Sequence, residues 1–402
     1  MRSLVVLALG LFSLCLKAQS KIQPNYLIVL SLDGFRWDYP VLYHTPNLDS
    51  MAGAGVKAEG LIPGFPSKTF PNHYSIITGL YPDHHGIINN TFHHRATDSE
   101  YAVGNRMAVE NPIYYSGEPA WVTARKQGIK TASYFFVGSE TPVQGIQPDT
   151  WKRYGNDVPF PARIDSVVDW LKKPLPQRPR FITFYSDQPD HVGHSHGPVS
   201  LQTGQMVEEL DSLVGVLFDK LRQLPIADSV NVIVLSDHGM ATVSKERSVV
   251  IGSLVEDSML EYCLGSNPFY LVQPRKEYAD RVYHVLASQE GLWVWRKNEI
   301  PQELNYGTNS SISDLVVCAK PTWSVYQNAT QVTDGGTHGY TPDWMDMHAV
   351  FYATGPDFKQ GYVTSRFRNI EIYNLICRLL GLDAAPNDGN FENVKNMLRN
   401  KK

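Results

Sequence analysis

The chain has 402 residues, of which 43% are hydrophobic and 19% are charged. This composition is typical of a globular protein with a large core, and it excludes a disordered chain. The formal net charge is −4 and no long run of lysine and arginine occurs, which argues against a protein that binds nucleic-acid polymers through a basic surface.

Residues 1–19 are predicted to be a signal peptide. Arg2 precedes an apolar run from Leu4 to Leu16, and Ala18 offers a small residue near the cleavage site. The run is shorter than the ~20 residues that a membrane-spanning helix needs, and no other uninterrupted apolar stretch reaches that length. We therefore expect an exported mature chain, secreted or periplasmic, with no integral membrane segment.

Three continuous apolar runs, each typical of a strand buried on both faces, end in an acidic residue. They are residues 26–32, 181–186 and 231–236, which are followed by Asp33, Asp187 and Asp237. A single aspartate after a strand is most often a turn residue or a helix cap. Three of them indicate a shared site, because parallel strands bring their carboxyl ends to one edge of a sheet.

Helical patterns over 165–171 and 201–224 separate these strands. This alternation predicts an α/β fold, with a mainly parallel sheet and helices on both faces. Residues 252–325 carry a strand-helix-strand pattern of their own and are predicted to form a small inserted α+β subdomain. The remaining chain, 20–402 including this insert, is then a single catalytic domain, because candidate site residues lie on both sides of the insert.

Histidines accompany the acidic residues. His191 follows Asp187, His238 follows Asp237 directly, and His338 stands in a glycine-rich segment. Aspartate and histidine together are the ligands that hydrolytic zinc sites use. We interpret the nearby His194 and His196 as groups that lie behind the ligands or face the substrate.

The segment from Pro66 to His73, with the sequence PSKTFPNH, completes the pattern. Together with LDGFR at 32–36, TGLYPDHHGIINN at 78–90, DHGM at 237–240 and GTHGY at 336–340, it resembles the nucleotide pyrophosphatase/phosphodiesterase family of the alkaline phosphatase superfamily. The resemblance runs from about residue 25 to about residue 380 with the segments in family order, and it suggests a bacterial member.

The resemblance implies two zinc ions and a threonine nucleophile, Thr69, that forms a phosphothreonine intermediate. One ion would be held by Asp187, His191 and His338. The other would be held by Asp33, Asp237 and His238, with the Thr69 hydroxyl as a further ligand. Zinc coordination explains how a threonine hydroxyl reacts at neutral pH, since the metal lowers its pKa.

The resemblance also assigns substrate contacts. Asn90 would donate its amide to a phosphoryl oxygen, and Phe70 and Tyr154 would stack on the two faces of a nucleobase. Phe136-Val137 stands where the family usually has Trp-Pro, so the shape of this slot differs from the family pattern. The expected reaction is cleavage of nucleotide pyrophosphate or phosphodiester bonds to release nucleoside 5′-monophosphates.

Two alternatives remain open from the sequence. A relative that cleaves phosphocholine or glycerophosphodiester substrates would use the same metals and recognise a quaternary ammonium with aromatic and acidic groups. A non-catalytic nucleotide-binding protein with structural metals is the second alternative. The oligomeric state, the base preference and the native metal are left open by the sequence.

Overall fold

The computed structural model describes residues 25–155 and 157–400, so the predicted signal peptide lies outside the described residues. Among these residues, no helix combines the length and apolarity that a membrane span requires. The strands are β1 (Tyr26–Leu32), β2 (Val56–Ala58), β3 (Leu61–Ile62), β4 (Thr91–His94), β5 (Ser99–Ala102), β6 (Thr131–Tyr134), β7 (Thr150–Lys152), β8 (Phe181–Ser186), β9 (Val230–Leu235), β10 (Ala241–Val243), β11 (Ser248–Val250), β12 (Leu260–Ser266), β13 (Phe269–Pro274), β14 (Leu292–Arg296), β15 (Leu315–Ala319), β16 (Ser324–Tyr326), β17 (Gly335–Thr337), β18 (Phe351–Thr354), β19 (Tyr362–Thr364) and β20 (Phe367–Arg368). The α-helices are α1 (Tyr39–Leu42), α2 (Pro46–Ala54), α3 (Thr69–Thr78), α4 (Pro82–His85), α5 (Arg106–Val109), α6 (Ala120–Lys126), α7 (Phe160–Lys172), α8 (Asp190–His196), α9 (Leu201–Arg222), α10 (Ala279–Ala287) and α11 (Glu371–Leu380).

The central sheet has eight strands in the order β19-β2-β18-β9-β1-β8-β6-β7. Strand β18 pairs antiparallel with β9 and β2, and the other neighbours in the sheet pair parallel. A strand buried on both faces needs helices on both sides. Leu27 and Val29 of β1 accordingly pack in one core with α3, α6 and α11, and Ile28 and Leu30 pack in another with α7 and α9. The predicted α/β class with a mainly parallel sheet is confirmed.

The three predicted acid-ended strands are β1, β8 and β9, and every residue in them is buried. Strand β1 lies between β9 and β8 at the middle of the sheet. The residues that follow these three strands therefore converge at one edge, which positions the candidate site.

Residues Leu260–Ala319 contain a separate four-stranded antiparallel sheet in the order β12-β13-β15-β14. Helix α10 covers this sheet through Val282 and Leu286, which share a core with Val272 and Val317. The sheet falls within the segment predicted as an insert at 252–325. The buried carboxylate of Asp83 fixes the loop between β14 and β15, because it accepts hydrogen bonds from the backbone N–H groups of residues 307–309 in that loop.

Candidate active site

One group of candidate metal-ligating side chains lies at the ends of β1 and β9. Asp33 follows β1, and Asp237 and His238 follow β9. The Nε2 atom of His238 lies 3.4 Å from Asp33 Oδ1 and 3.0 Å from Asp237 Oδ2. All three side chains are buried, and their ligand atoms lie within 4.8 Å of one another. These three residues are the group that the sequence assigned to one metal.

A second group joins helix α8 to the segment after β17. Asp190 and His194 are four residues apart on α8, which places them on one face of the helix. Asp190 Oδ2 lies 3.3 Å from His194 Nε2, and Asp190 Oδ1 lies 3.6 Å from His338 Nε2. The ligand atoms of these three residues also lie within 4.8 Å of one another.

This second group differs from the one that the resemblance implied, which combined His338 with Asp187 and His191. Asp187 lies in the loop between β8 and α8, where its carboxylate is 3.8 Å from the guanidinium of Arg163. His191 is exposed and follows Asp190 on the helix, so it points about 100° away from the ligand face. His194, which the sequence interpretation placed behind the ligands, is a member of the group.

The three histidines are held in the same tautomer. The Nδ1–H groups of His194, His238 and His338 donate to the carbonyl oxygens of Gly336, Gly239 and Ser67 at 2.8, 2.8 and 2.9 Å. In a neutral imidazole the Nε2 atom is then the acceptor, which is the form that binds a metal. The rings of His238 and His338 are nearly parallel, with centroids 3.5 Å apart, so the two groups adjoin.

The carboxylates of both groups fit cations. Asp33 Oδ1 and Asp190 Oδ1 are buried and accept no hydrogen bond from the described residues. Burial, reinforced by the carboxylates of Asp237 and Asp190, raises the pKa of Asp33. Burial also opposes ionisation of Asp190, but His194 and His338 outweigh it and lower the pKa of that carboxyl. Two bound cations would relieve the mutual repulsion and supply the partners that these oxygens require.

Thr69 is the first residue of α3 and lies beside the first group. Its hydroxyl donates to Nε2 of His238 over 3.1 Å. Thr69, Asn90, Asp190, His194 and His338 line one cavity of about 400 Å³. The Asn90 side-chain oxygen accepts a hydrogen bond from the Phe70 N–H at 3.0 Å, which leaves its NH₂ group as the donor on that side chain. The predicted nucleophile and oxyanion donor thus share a cavity with the second group, and the Thr69 hydroxyl contacts the first group through His238.

His73 is a site residue that the sequence analysis did not identify. Its buried ring packs under the first group, with Nδ1 3.0 Å from the Thr69 carbonyl oxygen and 3.1 Å from Asp237 Oδ2. Its Nε2 atom accepts a hydrogen bond from Ser31 Oγ at 2.8 Å. His73 therefore positions both the nucleophile's backbone and a ligand. Its place four residues after Thr69, one turn along α3, is the sequence signal that could have identified it.

A second, smaller pocket of about 200 Å³ opens beside Thr69. Phe70 and Tyr154 both line it, together with further aromatic and aliphatic side chains. Glu140 at its wall accepts a hydrogen bond from the Tyr154 N–H at 2.6 Å and forms an ion pair with Arg106. The pocket therefore presents flat apolar faces and a carboxylate whose charge is already matched.

Comparisons with known proteins identify the family. Residues 27–341 match the family described as type I phosphodiesterase/nucleotide pyrophosphatase. Ectonucleotide pyrophosphatase/phosphodiesterase family member 3 of Rattus norvegicus is 34% identical over 386 residues, which cover 93% of this chain and 44% of the rat protein. Family member 7 of Mus musculus is 32% identical over 409 residues, which cover 98% of this chain and 92% of the mouse protein.

A solved structure has a similar fold. Murine ectonucleotide pyrophosphatase/phosphodiesterase 5, as an inactive threonine-to-alanine variant in complex with AMP, superposes with a TM-score of 0.90 at 28% identity. The match covers 93% of this chain and 100% of the murine chain. By contrast, this chain spans less than half of the rat relative, so the rat protein contains a large part that has no counterpart here.

Proposed function

Because the chain belongs to the type I phosphodiesterase/nucleotide pyrophosphatase family, we propose that it is an exported hydrolase that cleaves phosphodiester and pyrophosphate bonds of nucleotides and releases nucleoside 5′-monophosphates. The observation that carries the proposal is the position of Thr69. Its hydroxyl lies against one metal-ligating group, and the aromatic pocket opens at the next residue, Phe70. A phosphoryl group at Thr69 would place an attached nucleoside in that pocket.

The donor set fits two divalent cations, and its three neutral imidazoles and three carboxylates favour zinc. Asp33, Asp237 and His238 would hold one ion, and Asp190, His194 and His338 the other. When bound, two such ions supply charge stabilisation for the phosphoryl oxygens and acidify the nucleophilic hydroxyl.

The chain's own residues carry the remaining steps. Thr69 Oγ1 attacks phosphorus, so that an Oγ1–P bond forms while the P–O bond to the leaving group breaks. Water then hydrolyses the phosphothreonine, which releases the nucleoside 5′-monophosphate and restores the hydroxyl. The N-terminus of α3 places its partial positive charge at this oxygen, and the Asn90 amide donates to a nonbridging phosphoryl oxygen.

The aromatic pocket favours a nucleobase over a quaternary ammonium. Phe70 and Tyr154 offer ring faces to a flat base. Aromatic faces also attract a choline group, but the carboxylate that would strengthen this attraction, Glu140, is already paired with Arg106 and with the Tyr154 backbone. The solved structure of the murine relative, inactivated by a threonine-to-alanine change and in complex with AMP, supports both the nucleotide ligand and the role of a threonine.

The proposal is tested with Thr69→Ala on purified protein, using the p-nitrophenyl ester of thymidine 5′-monophosphate as substrate. We expect turnover to vanish while bound zinc per chain stays nearly unchanged, because one hydroxyl is lost and all six Asp and His ligands remain. Thr69→Ser is the matched control that keeps a nucleophilic hydroxyl and retains measurable turnover. Substantial activity of Thr69→Ala would exclude the covalent mechanism.

The substrate class is tested with the wild-type protein. The nucleotide ester is compared at equal concentration with p-nitrophenylphosphocholine and with p-nitrophenyl phosphate. We expect the highest kcat/KM for the nucleotide ester. A preference for the phosphocholine ester would keep the metal chemistry and overturn the substrate.

A further inference from the structure

A cavity of about 540 Å³ lies apart from the site described above. It lies between the edge strand β14 of the inserted sheet and the chain that follows His338, and it is open to solvent on one side. Neither Thr69 nor any residue of the two metal-ligating groups lines it. Clefts between two packed units of a chain are common positions for ligand sites, and this volume falls in the usual range for them.

Two tryptophans dominate one wall of this cavity. Trp293 and Trp295 are two residues apart on β14, so their side chains lie on the same face of the strand. Their ring centroids are 6.1 Å apart with an interplanar angle of 27°. Both are only partly buried, although Trp295 also packs edge-on against Phe65. Large flat apolar surface is thereby kept open to the cavity.

The polar groups around the cavity carry both signs of charge. Glu303 and Asp343 contribute exposed carboxylates, and Arg368 contributes a guanidinium. A strongly charged ligand of either sign would meet a like charge here, which costs binding free energy. A neutral ligand with many hydroxyl groups can use carboxylates as acceptors and the guanidinium as a donor at the same time.

Two further lining residues have unused hydrogen-bonding capacity. Thr341 and His348 are each 5% exposed. Thr341 Oγ1 and His348 Nδ1 have no hydrogen-bond partner among the described residues. Buried polar atoms of folded proteins are usually paired, but the residues behind this wall keep two polar atoms without a partner in the described part of the chain, while the ligand-accessible polar groups are those of Glu303, Asp343 and Arg368.

We propose that this cavity binds a saccharide unit. The apolar C–H face of a pyranose ring would pack on the indole of Trp293, and the ring hydroxyls would reach Glu303, Asp343 and Arg368. This combination of a flat aromatic wall with planar polar side chains matches a sugar, which is apolar on its faces and polar around its rim. The site goes beyond the proposed hydrolase activity and shares no residue with it.

The test uses the zinc-loaded protein and a panel of neutral disaccharides, namely maltose, cellobiose and chitobiose, with choline as the cationic comparison. Saturation-transfer NMR identifies the ligand, and isothermal titration calorimetry gives the Kd. We expect at least one disaccharide to bind, and Trp293→Ala and Glu303→Gln each to weaken it about 10-fold or more. Trp293→Phe keeps a flat ring and should retain part of the affinity.

Trp151→Ala is the matched control, because Trp151 is also exposed on a strand but lies outside the cavity. It should bind the disaccharide like the wild type. Circular dichroism and the Tm of each variant show whether it is folded. Absence of binding by every disaccharide, binding of choline instead, or an equal loss in Trp151→Ala would overturn the proposal.

Competition separates this proposal from the proposed hydrolase function. Disaccharide binding should persist in Thr69→Ala, after removal of metals by a chelator, and in the presence of saturating AMP. Displacement by AMP would place the sugar in the pocket beside Thr69 and refute a second site, whatever the outcome for hydrolysis.

Discussion

Substitution of His194 by alanine removes one of the three side chains that we propose to hold the second metal ion, the others being Asp190 and His338. Even the loss of a group behind a metal ligand weakens metal affinity 10–100-fold, so loss of a direct ligand should weaken it by at least about 100-fold, or about 2.7 kcal/mol. We expect bound zinc to fall from about two ions per chain to about one. The associated loss of charge stabilisation should lower kcat by a factor of about 10²–10³.

His191 provides a matched control on the same helix. It is exposed, and its described hydrogen bonds are made by its backbone: Ser195 Oγ donates to its carbonyl oxygen at 3.2 Å, and its N–H donates to the Asp187 carbonyl oxygen at 3.4 Å. Its replacement by alanine keeps both of these backbone contacts and removes no group that faces the site. Surface substitutions of this kind change stability by about 0.5 kcal/mol or less. We therefore expect His191→Ala to keep both ions and nearly full turnover.

The assay is metal content by mass spectrometry after dialysis against metal-free buffer, followed by kinetics on the nucleotide ester. Both variants are measured beside the wild type, and the Tm of each confirms that it is folded. If His191→Ala lost an ion while His194→Ala kept two, the ligand set taken from the structure would be refuted and the one taken from the sequence would stand.

Three further predictions concern the aromatic pocket, a buried histidine and a close backbone contact. Tyr154→Ala should lower kcat/KM for the nucleotide ester by a factor that corresponds to about 1–3 kcal/mol, the usual contribution of base stacking. Turnover of bis-p-nitrophenyl phosphate should be nearly unaffected, and Tyr154→Phe should resemble the wild type. An equal loss on both esters would refute stacking. Burial lowers the pKa of His85 to about 3, so below pH 6.5 the unfolded chain binds a proton at this residue that the folded chain does not bind. The free energy of unfolding should therefore fall between pH 6.5 and pH 3 by up to about 1.4 kcal/mol per pH unit from this residue. Urea unfolding of His85→Gln should show a flatter pH dependence, and an unchanged slope would contradict this assignment. A Cβ at Gly336 would lie 2.4 Å from the Gly193 carbonyl oxygen, so Gly336→Ala should separate β17 from α8. Metal analysis should then show loss of the ion of the second group alone. Retention of two ions would refute the idea that this close contact positions the second group.

Much of the fold follows from the sequence because its signals are local. The apolar runs at 26–32 and 181–186 coincide with β1 and β8, and the run at 231–236 differs from β9 by one residue at each end. The helical pattern at 201–224 is two residues longer than α9. A strand that is buried on both faces has an unbroken run of apolar residues, so the ends of the run mark the ends of the strand.

The second metal-ligating group shows where local signals fail. Asp187 and His191 are four residues apart, and so are Asp190 and His194, so helical spacing favours neither pair. The deciding fact is where the helix begins. Pro189 precedes the first residue of α8, so Asp190 starts the helix while Asp187 remains in the loop. Pro189 in the sequence was the available signal, because proline is frequent at helix starts.

His194 and His338 are far apart in the sequence, and glycines of β17 allow the two segments that carry them to come together. Gly336 lies so close to α8 that a Cβ would meet the Gly193 carbonyl oxygen, and Gly335 has φ +135° with the His194 carbonyl oxygen 2.3 Å from its missing Cβ. Only residues without a side chain allow β17 to approach the helix backbone this closely. The same contact lets His194 Nδ1 donate to the Gly336 carbonyl oxygen, which fixes the tautomer that leaves Nε2 free for a metal. The glycines of this segment thus determine both the position of His338 and the ligand state of His194.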